Sequence, residues 1–372
     1  MMNNLSRWLL VSLVLLGSGA SRPLTAPSAA ERNFEVFWRT FRDHYALFAL
    51  YGVDWEAAYR RYRPLVTAQT TPAALDTMLM GMVRPLADGH IYFLRANQPF
   101  YKGQPRRNAF NTAFGKDKTA FWNTASTVLQ RTGFEPVRGR GPVLKALQTI
   151  YFTRSPTVGY LRLTRCFFNL TGAIGSARQE RADSRLLLAS FDSTLARLAD
   201  CPTLILDFRA NGGGHSGVAM ARRFCQARRL THYKATRQPG GYEQFTPQQA
   251  CYLEPLPGQK SGPAPGPRRI FLLVNDATAS AAEDFTVSMS KEPGVVTIGS
   301  NTRGMLSDMY ASKLSNGLMF TLSSQRYYAA DRTLLEGIGI APQINVADDP
   351  AALARADDPV LARSLALAAA KP

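Results

Sequence analysis

The stretch RIFLLVNDATASAAEDF, Arg269 to Phe285, decides how the rest of the chain is read. Its apolar run predicts a buried strand, Asn275-Asp276 a turn, and Ser280 the start of a helix with Glu283 three residues on. Two readings meet at that serine. The spacing is that of a capping box, in which Thr278 or Ser280 closes a helix end and does nothing more. The same position also puts a hydroxyl where backbone N–H groups face developing negative charge, which suits a nucleophile.

Neighbouring segments repeat the strand-then-helix pattern. TLILDF (203–208) predicts a second buried strand, running into the glycine-rich DFRANGGGHSG, and VVTIGS (295–300) a third. A strand over 158–163, an amphipathic helix over 185–198 and a short helix over 216–226 complete an α/β layer core over residues 156–348. Asn316-Gly317 predicts a tight hairpin between 309–314 and 318–323. Upstream, Phe34, Phe37, Trp38, Phe41 and Tyr45 form one helical stripe, with His44 beside it as packing. Asp54 caps a second helix and Thr71-Pro72 opens a third, so 31–97 reads as an N-terminal helical domain. Residues 98–155 are basic and weakly patterned, a connecting or substrate-facing segment, and 349–372 read as a C-terminal tail.

The chain has 372 residues, 45% hydrophobic and 19% charged, which is a globular rather than a disordered balance. Its net charge of +17 is concentrated. Residues 102–154 hold ten Lys/Arg against two acids, and 222–237 hold six against none. Without a helix-turn-helix, zinc-finger or aromatic ribonucleoprotein signature this predicts a solvated basic surface and no specific nucleic-acid partner. It suits association with an anionic envelope surface or acidic substrates. MMNNLSRWLLVSLVLLGSGAS joins Arg7, the apolar run 8–16 and small residues, an export signal over 1–20 followed by a linker over 21–30. No cysteine follows it to carry a lipid. Cys166, Cys201, Cys225 and Cys251 lack zinc-ligand spacing, and in an oxidising compartment they admit up to two disulfides that spacing does not assign.

Three glycines after a buried strand, Gly212 to Gly214, free the backbone to present bare N–H groups, as an oxyanion hole requires. A phosphate loop would need a closing Gly-Lys-Ser/Thr that is missing here. A serine nucleophile needs a base that titrates near neutrality. Of His44, His90, His215 and His232, His90 in LADGHIYF is best placed and His215, beside the glycine loop, is second.

GVDWEAAYRRY, LADGHIYF, VGYLRL, LILDFRANGGG, LLVNDATASAAEDF, TIGSNTRG and LLEGIGIAPQINV stand in the order seen in carboxy-terminal processing and tricorn-type serine peptidases. The chain resembles that family over residues 31–348. The resemblance implies a crotonase-like ββα superhelix core, Ser280 as nucleophile, and an oxyanion hole from Gly212, Gly213 and the Ala281 N–H. In the Ser-Lys branch a lysine follows the T-x-G turn, where this chain has Met305, which cannot accept a proton. The tricorn-type branch uses a histidine base, matching His90, and an acid before G-I-x-P, matching Glu336. Its usual aspartate after that proline is Gln343 here, and the space between His90 and Tyr160 is too short for a PDZ domain. The expectation is an exported, periplasmic or extracellular peptidase acting on peptides or unfolded proteins, without metal or cofactor, of unassigned oligomeric state. Its alternative is a non-catalytic carrier on the same scaffold, as in the retinoid-binding proteins of the eye. A Glu336 partner would stabilise imidazolium and raise the His90 pKa above ~6.5, with activity lost below about pH 6.

Overall fold

The computed structural model describes residues 26–115, 118–170, 176–256 and 269–370, so the expected export signal lies outside the described residues. Its centre is a seven-stranded sheet of β3 (Arg138–Arg140), β4 (Ile150–Arg154), β5 (Val158–Leu163), β6 (Thr203–Asp207), β9 (Arg269–Val274), β10 (Val295–Gly299) and β14 (Ile344–Asn345). The spatial order is β14-β10-β9-β6-β5-β4-β3; the first five are parallel, and β4 and β3 close one edge antiparallel.

Both faces of this sheet are buried, as the uninterrupted apolar runs require. Leu161, Leu163, Leu204, Leu206, Leu272 and Val274 face one core with Leu187, Phe191 and Leu195 of the helix Ala177–Arg197. The alternate residues Tyr160, Ile205, Phe271 and Leu273 face a second core with Phe121, Trp122 and Leu129 of the helix Lys118–Arg131 and with Val360 and Leu361.

That second core takes in residues from outside 156–348. Within the basic segment 98–155 two helices pack on that core, and β4 and β3 extend the central sheet to one edge. The tail 349–372 contains the helix Pro359–Ala369, capped by Asp358. Asp358 also pairs with Arg209, which is fully buried among Asp207, Asp348 and Asp358 at 2.7–3.0 Å. A buried guanidinium needs such partners, and removing one leaves an uncompensated charge at roughly 3–5 kcal/mol.

The N-terminal helices Ala29–His44, Trp55–Tyr62 and Pro72–Val83 form as expected, with Phe34, Phe37 and Phe41 of the stripe fully buried. They pack on a four-stranded sheet of β1 (Tyr92–Arg95), β2 (Gln98–Lys102), β11 (Met309–Lys313) and β12 (Met319–Ser323), through Phe93 and Phe320. A three-stranded sheet of β7 (Arg229–Thr236), β8 (Gln249–Leu253) and β13 (Gln325–Tyr328) completes the fold. His44 stacks on Tyr310. Among the described residues no disulfide is formed, and Cys166, Cys201 and Cys225 are buried.

Candidate active site

The loops leaving the carboxyl ends of the parallel neighbours β6, β9 and β10 converge, at the edge where open α/β sheets bind their ligands. After β9 the chain turns through Asn275–Ala279. Asn275 Oδ1 accepts the N–H groups of Ala277 and Ala210 at 3.1 and 3.0 Å. Thr278 Oγ1 donates to the Phe208 carbonyl at 2.9 Å, and Ala279 N–H to the Asn211 carbonyl at 2.9 Å. The turn and the glycine loop are therefore fastened together.

Ser280 follows with φ 56° and ψ −129°, and the helix Ala281–Met289 begins at once. A side-chain-bearing residue in this region carries roughly 1–3 kcal/mol of strain, which persists only where the surroundings impose it. Here they do. The Ser280 N–H is shared between the Met305 carbonyl and Glu283 Oε2, both at 3.0 Å. Glu283 is fully buried and accepts three further bonds: Thr302 Oγ1 and Gly304 N–H at 2.7 Å, and Met305 N–H at 2.9 Å. Burial pushes its carboxyl up to about 7, against the pull of those donors. The expected Thr302-Arg303-Gly304 turn is thus tied to the serine through one carboxylate.

Gly213 has φ 90°, and a Cβ there would lie 2.6 Å from the Ala279 carbonyl, 2.7 Å from Ser280 Cβ and 2.9 Å from Ala281 N. Only glycine lets the loop come this near the serine. The Gly213 N–H is donated to Asn211 Oδ1 at 2.9 Å, so it is engaged rather than free to face an oxyanion. The N–H groups of Gly212 and Ala281 have no hydrogen-bond partner among the described residues.

His90 is buried at the start of β1, two residues after Asp88, whose Oδ1 accepts the His90 N–H at 2.8 Å. Ser323 Oγ makes a long contact of 3.4 Å to Nδ1. Burial pushes the imidazole pKa below its ordinary value; Asp88 opposes the shift and Lys102 adds to it. The upward shift expected from a Glu336 partner is therefore reversed. The charges acting on His90 are those of Asp88, Lys102 and Asp308. Glu336 lies instead beside Glu283, Asp88 and the N–H groups of Leu306 and Ser307; burial and the two like charges hold its carboxyl well above the usual range. Its Oε1 and Asp88 Oδ2 are buried without a partner among the described residues.

No hydrogen bond joins Ser280 to His90 among the described residues. Met305 stands between their loops: its carbonyl holds the Ser280 N–H, and its Cε would be 2.6 Å from a Cβ on Gly89. His215 has both ring nitrogens engaged elsewhere, Nε2 with Asp183 at 3.1 Å and Nδ1 with Ser216 and Ser184 at 3.0 and 3.2 Å. It braces the glycine loop. Gln343 serves the sheet edge, its side-chain oxygen accepting the Thr297 N–H at 2.8 Å. Asp88, which the sequence analysis does not single out, has one local signal: it is an aspartate two residues before the histidine, placed to accept that residue's N–H.

The profile of peptidase family S41 matches residues 157–346, just over half of the chain, and that of the tricorn protease C1 domain matches 28–84. A search of curated proteins finds no match. Among solved structures, a candidate peptidase from Parabacteroides merdae superposes with a TM-score of 0.66 at 24% identity, covering 93% of this chain and 98% of its own. Mature CPAF gives 0.56 at 12% identity over 91% and 95%, and the tricorn protease 0.51 at 14% over 91% and 36%. These likenesses establish a shared fold.

Proposed function

Because the chain belongs to peptidase family S41 and is a serine peptidase, we propose that Ser280 is its nucleophile, His90 its general base, and the N–H groups of Gly212 and Ala281 its oxyanion donors. The observation that carries this is the φ of 56° at Ser280, held between the glycine loop and the Glu283 carboxylate at a helix N-terminus. Ser280 Oγ attacks the peptide carbonyl while its proton passes to His90, and the oxyanion forms against bare N–H groups. His90 then returns the proton to the leaving amine, and water releases the acyl group by the same route in reverse. Catalytic hydrogen bonds are often long before substrate binds, so the Ser280–His90 bond is one that forms in the complex. Asp88 holds the His90 backbone N–H, and Glu336 lies beside Asp88 rather than on His90, with burial and the neighbouring carboxylates favouring its neutral form.

Two finer readings go with this. The core is a crotonase-like ββα superhelix, supported by the parallel β5-β6-β9-β10 layer with its interleaved helices. The protein is exported to the periplasm or beyond, supported by the charged-then-apolar N-terminus. The test is covalent labelling by a fluorophosphonate together with cleavage of an unstructured protein. Wild type should label at Ser280 and cleave, and His90→Ala should do neither at an appreciable rate. Absence of labelling at Ser280 would leave the carrier reading in its place.

A further inference from the structure

Of the two basic runs in the sequence, one is neutralised in the fold. Arg223, Arg228, Arg229 and Lys234 pair with Asp192, Glu254, Glu292 and Asp308 at 2.8–3.5 Å, and Arg222 and Arg237 donate to backbone carbonyls. Lys102, Arg106 and Arg107 of the other run, and Arg303, have no carboxylate partner among the described residues. Lys102, Arg106 and Arg107 are exposed.

Their place gives this imbalance a use. Residues 103–108 form a strap from the His90 loop to the Ser280 turn. At one end a Cβ on Gly103 would meet the Asp88 carbonyl at 1.9 Å, and Pro105 lies against Gly89. At the other, Asn108 Nδ2 donates to the Asp276 carbonyl at 2.8 Å, and the Ala109 and Phe110 N–H groups donate to the Asp276 carboxylate. The Arg303 guanidinium, from the turn that binds Glu283, donates to the Arg106 carbonyl at mid-strap. The charges of Arg303 and Arg106 reach Tyr51, and that of Lys102 reaches His90. A fixed strap with unpaired cations thus borders the catalytic residues on the side where the two loops meet.

We propose that Lys102, Arg106, Arg107 and Arg303 form a subsite for acidic side chains of the substrate, so that peptides with Asp or Glu close to the scissile bond are cleaved preferentially. This rests on the reading of Ser280 as nucleophile. Unpaired cations attract an opposite charge and discriminate against a like one. The basic runs noted in the sequence then divide into a neutralised part and a recognising part.

The experiment uses C-terminally amidated fluorogenic peptides that differ only by Glu, Gln or Lys at single positions flanking the cleaved bond. We expect kcat/KM about tenfold higher for Glu than for Gln at one or more positions, shrinking as salt rises. The preference should fall in Arg106→Gln with Arg107→Gln and turn toward Lys in Arg107→Glu. Equal kcat/KM for Glu and Gln would overturn the subsite. A preference seen only with a free C-terminus would assign the carboxylate to the chain end and overturn it equally. Polarisation of a dye-labelled acidic peptide on the Ser280→Ala protein separates the two readings. Salt-sensitive binding of the Glu peptide without cleavage by wild type would leave the subsite and sink the nucleophile; equal binding of Glu and Gln peptides would do the opposite.

Discussion

Ser176 and Ser280 open helices with the same sequence signature, a serine followed three residues later by Gln179 or Glu283, and the fold uses them differently. Ser176 is exposed and extended, with φ −71° and ψ 162°; its hydroxyl accepts the Gln179 N–H, and Gln179 Oε1 accepts the Ser176 N–H at 2.8 Å. Ser28 with Glu31 repeats that arrangement at φ −63°. Ser280 has φ 56°, and its glutamate is fully buried and shared with Thr302, Gly304 and Met305. A serine N-cap takes extended backbone, as Ser176 and Ser28 do. Ser280 keeps the reciprocal pairing with Glu283, and what sets it apart from Ser176 and Ser28 is a positive φ beside a glycine loop.

The largest effect that could break this comparison is at Ser280 itself. Ser280→Ala should lower kcat by about 10⁴ or more and abolish fluorophosphonate labelling, while the protein stays folded. Ser280→Gly should be as inactive, yet melt above Ser280→Ala by roughly 1 kcal/mol of stability, because glycine relieves the positive φ. A Ser280→Gly protein less stable than Ser280→Ala would show that the backbone there is not strained.

Gly213→Ala comes next. Its methyl would press on the Ala279 carbonyl, Ser280 Cβ and Ala281 N, so the loop must retreat from the serine. The expected loss in kcat is about 10²–10³, the order seen when one oxyanion donor is removed. Steady-state kinetics giving wild-type turnover would mean that the approach of this loop has no part in the chemistry.

Much of this pair of loops was legible in the sequence, because buried parallel strands leave uninterrupted apolar runs and glycine triplets mark loops that need bare backbone. The sign of φ at Ser280 was not, since Ser176-Gln179 and Ser280-Glu283 read alike until tertiary contacts distinguish them. The strap at 103–108 and the helix Pro359–Ala369 were passed over for a related reason: both gain their order from distant partners, Asp276 for one and Arg209 for the other. Residues 118–131 carry a helical stripe, Phe121, Trp122, Ala125, Val128 and Leu129, that a basic composition obscured. Glu336 is brought near Glu283 and Asp88, a proximity that no spacing along the chain encodes.

The pH profile sharpens the contrast more gently. His90 must be neutral to accept the Ser280 proton, and burial lowers its pKa. kcat/KM should therefore rise with pH through a midpoint below the ~6.5 of a free histidine, and activity should persist into mildly acidic solution. A midpoint above 6.5 would show a carboxylate stabilising the imidazolium. Stability carries the opposite sign from Glu283. Its pKa is raised to about 7 from 4.5, so the folded state holds a proton that the unfolded state has released. That group's contribution is present below 4.5 and is lost as pH rises toward 7. Glu283→Gln should flatten this slope in melting curves taken across that window.

The smallest effect is the control on which the comparison depends. Ser176→Ala removes a hydroxyl that accepts one N–H at an exposed helix end, and the loss of such a cap costs about 1 kcal/mol. The helix it opens is long and holds Leu187, Phe191 and Leu195 in the core well beyond its first turn, so the fraying stays local. Melting should move by a few degrees at most, as a change of this size gives in a large domain. Asp183, which holds His215 and the Phe168 and Asn169 N–H groups, lies two turns further along the same helix and should stay in place. Turnover by Ser176→Ala should accordingly match wild type. If it fell by the factor expected for Ser280→Ala, the first turn of this helix would be part of the glycine loop's support, and the two serines would not be as different as their backbone angles make them.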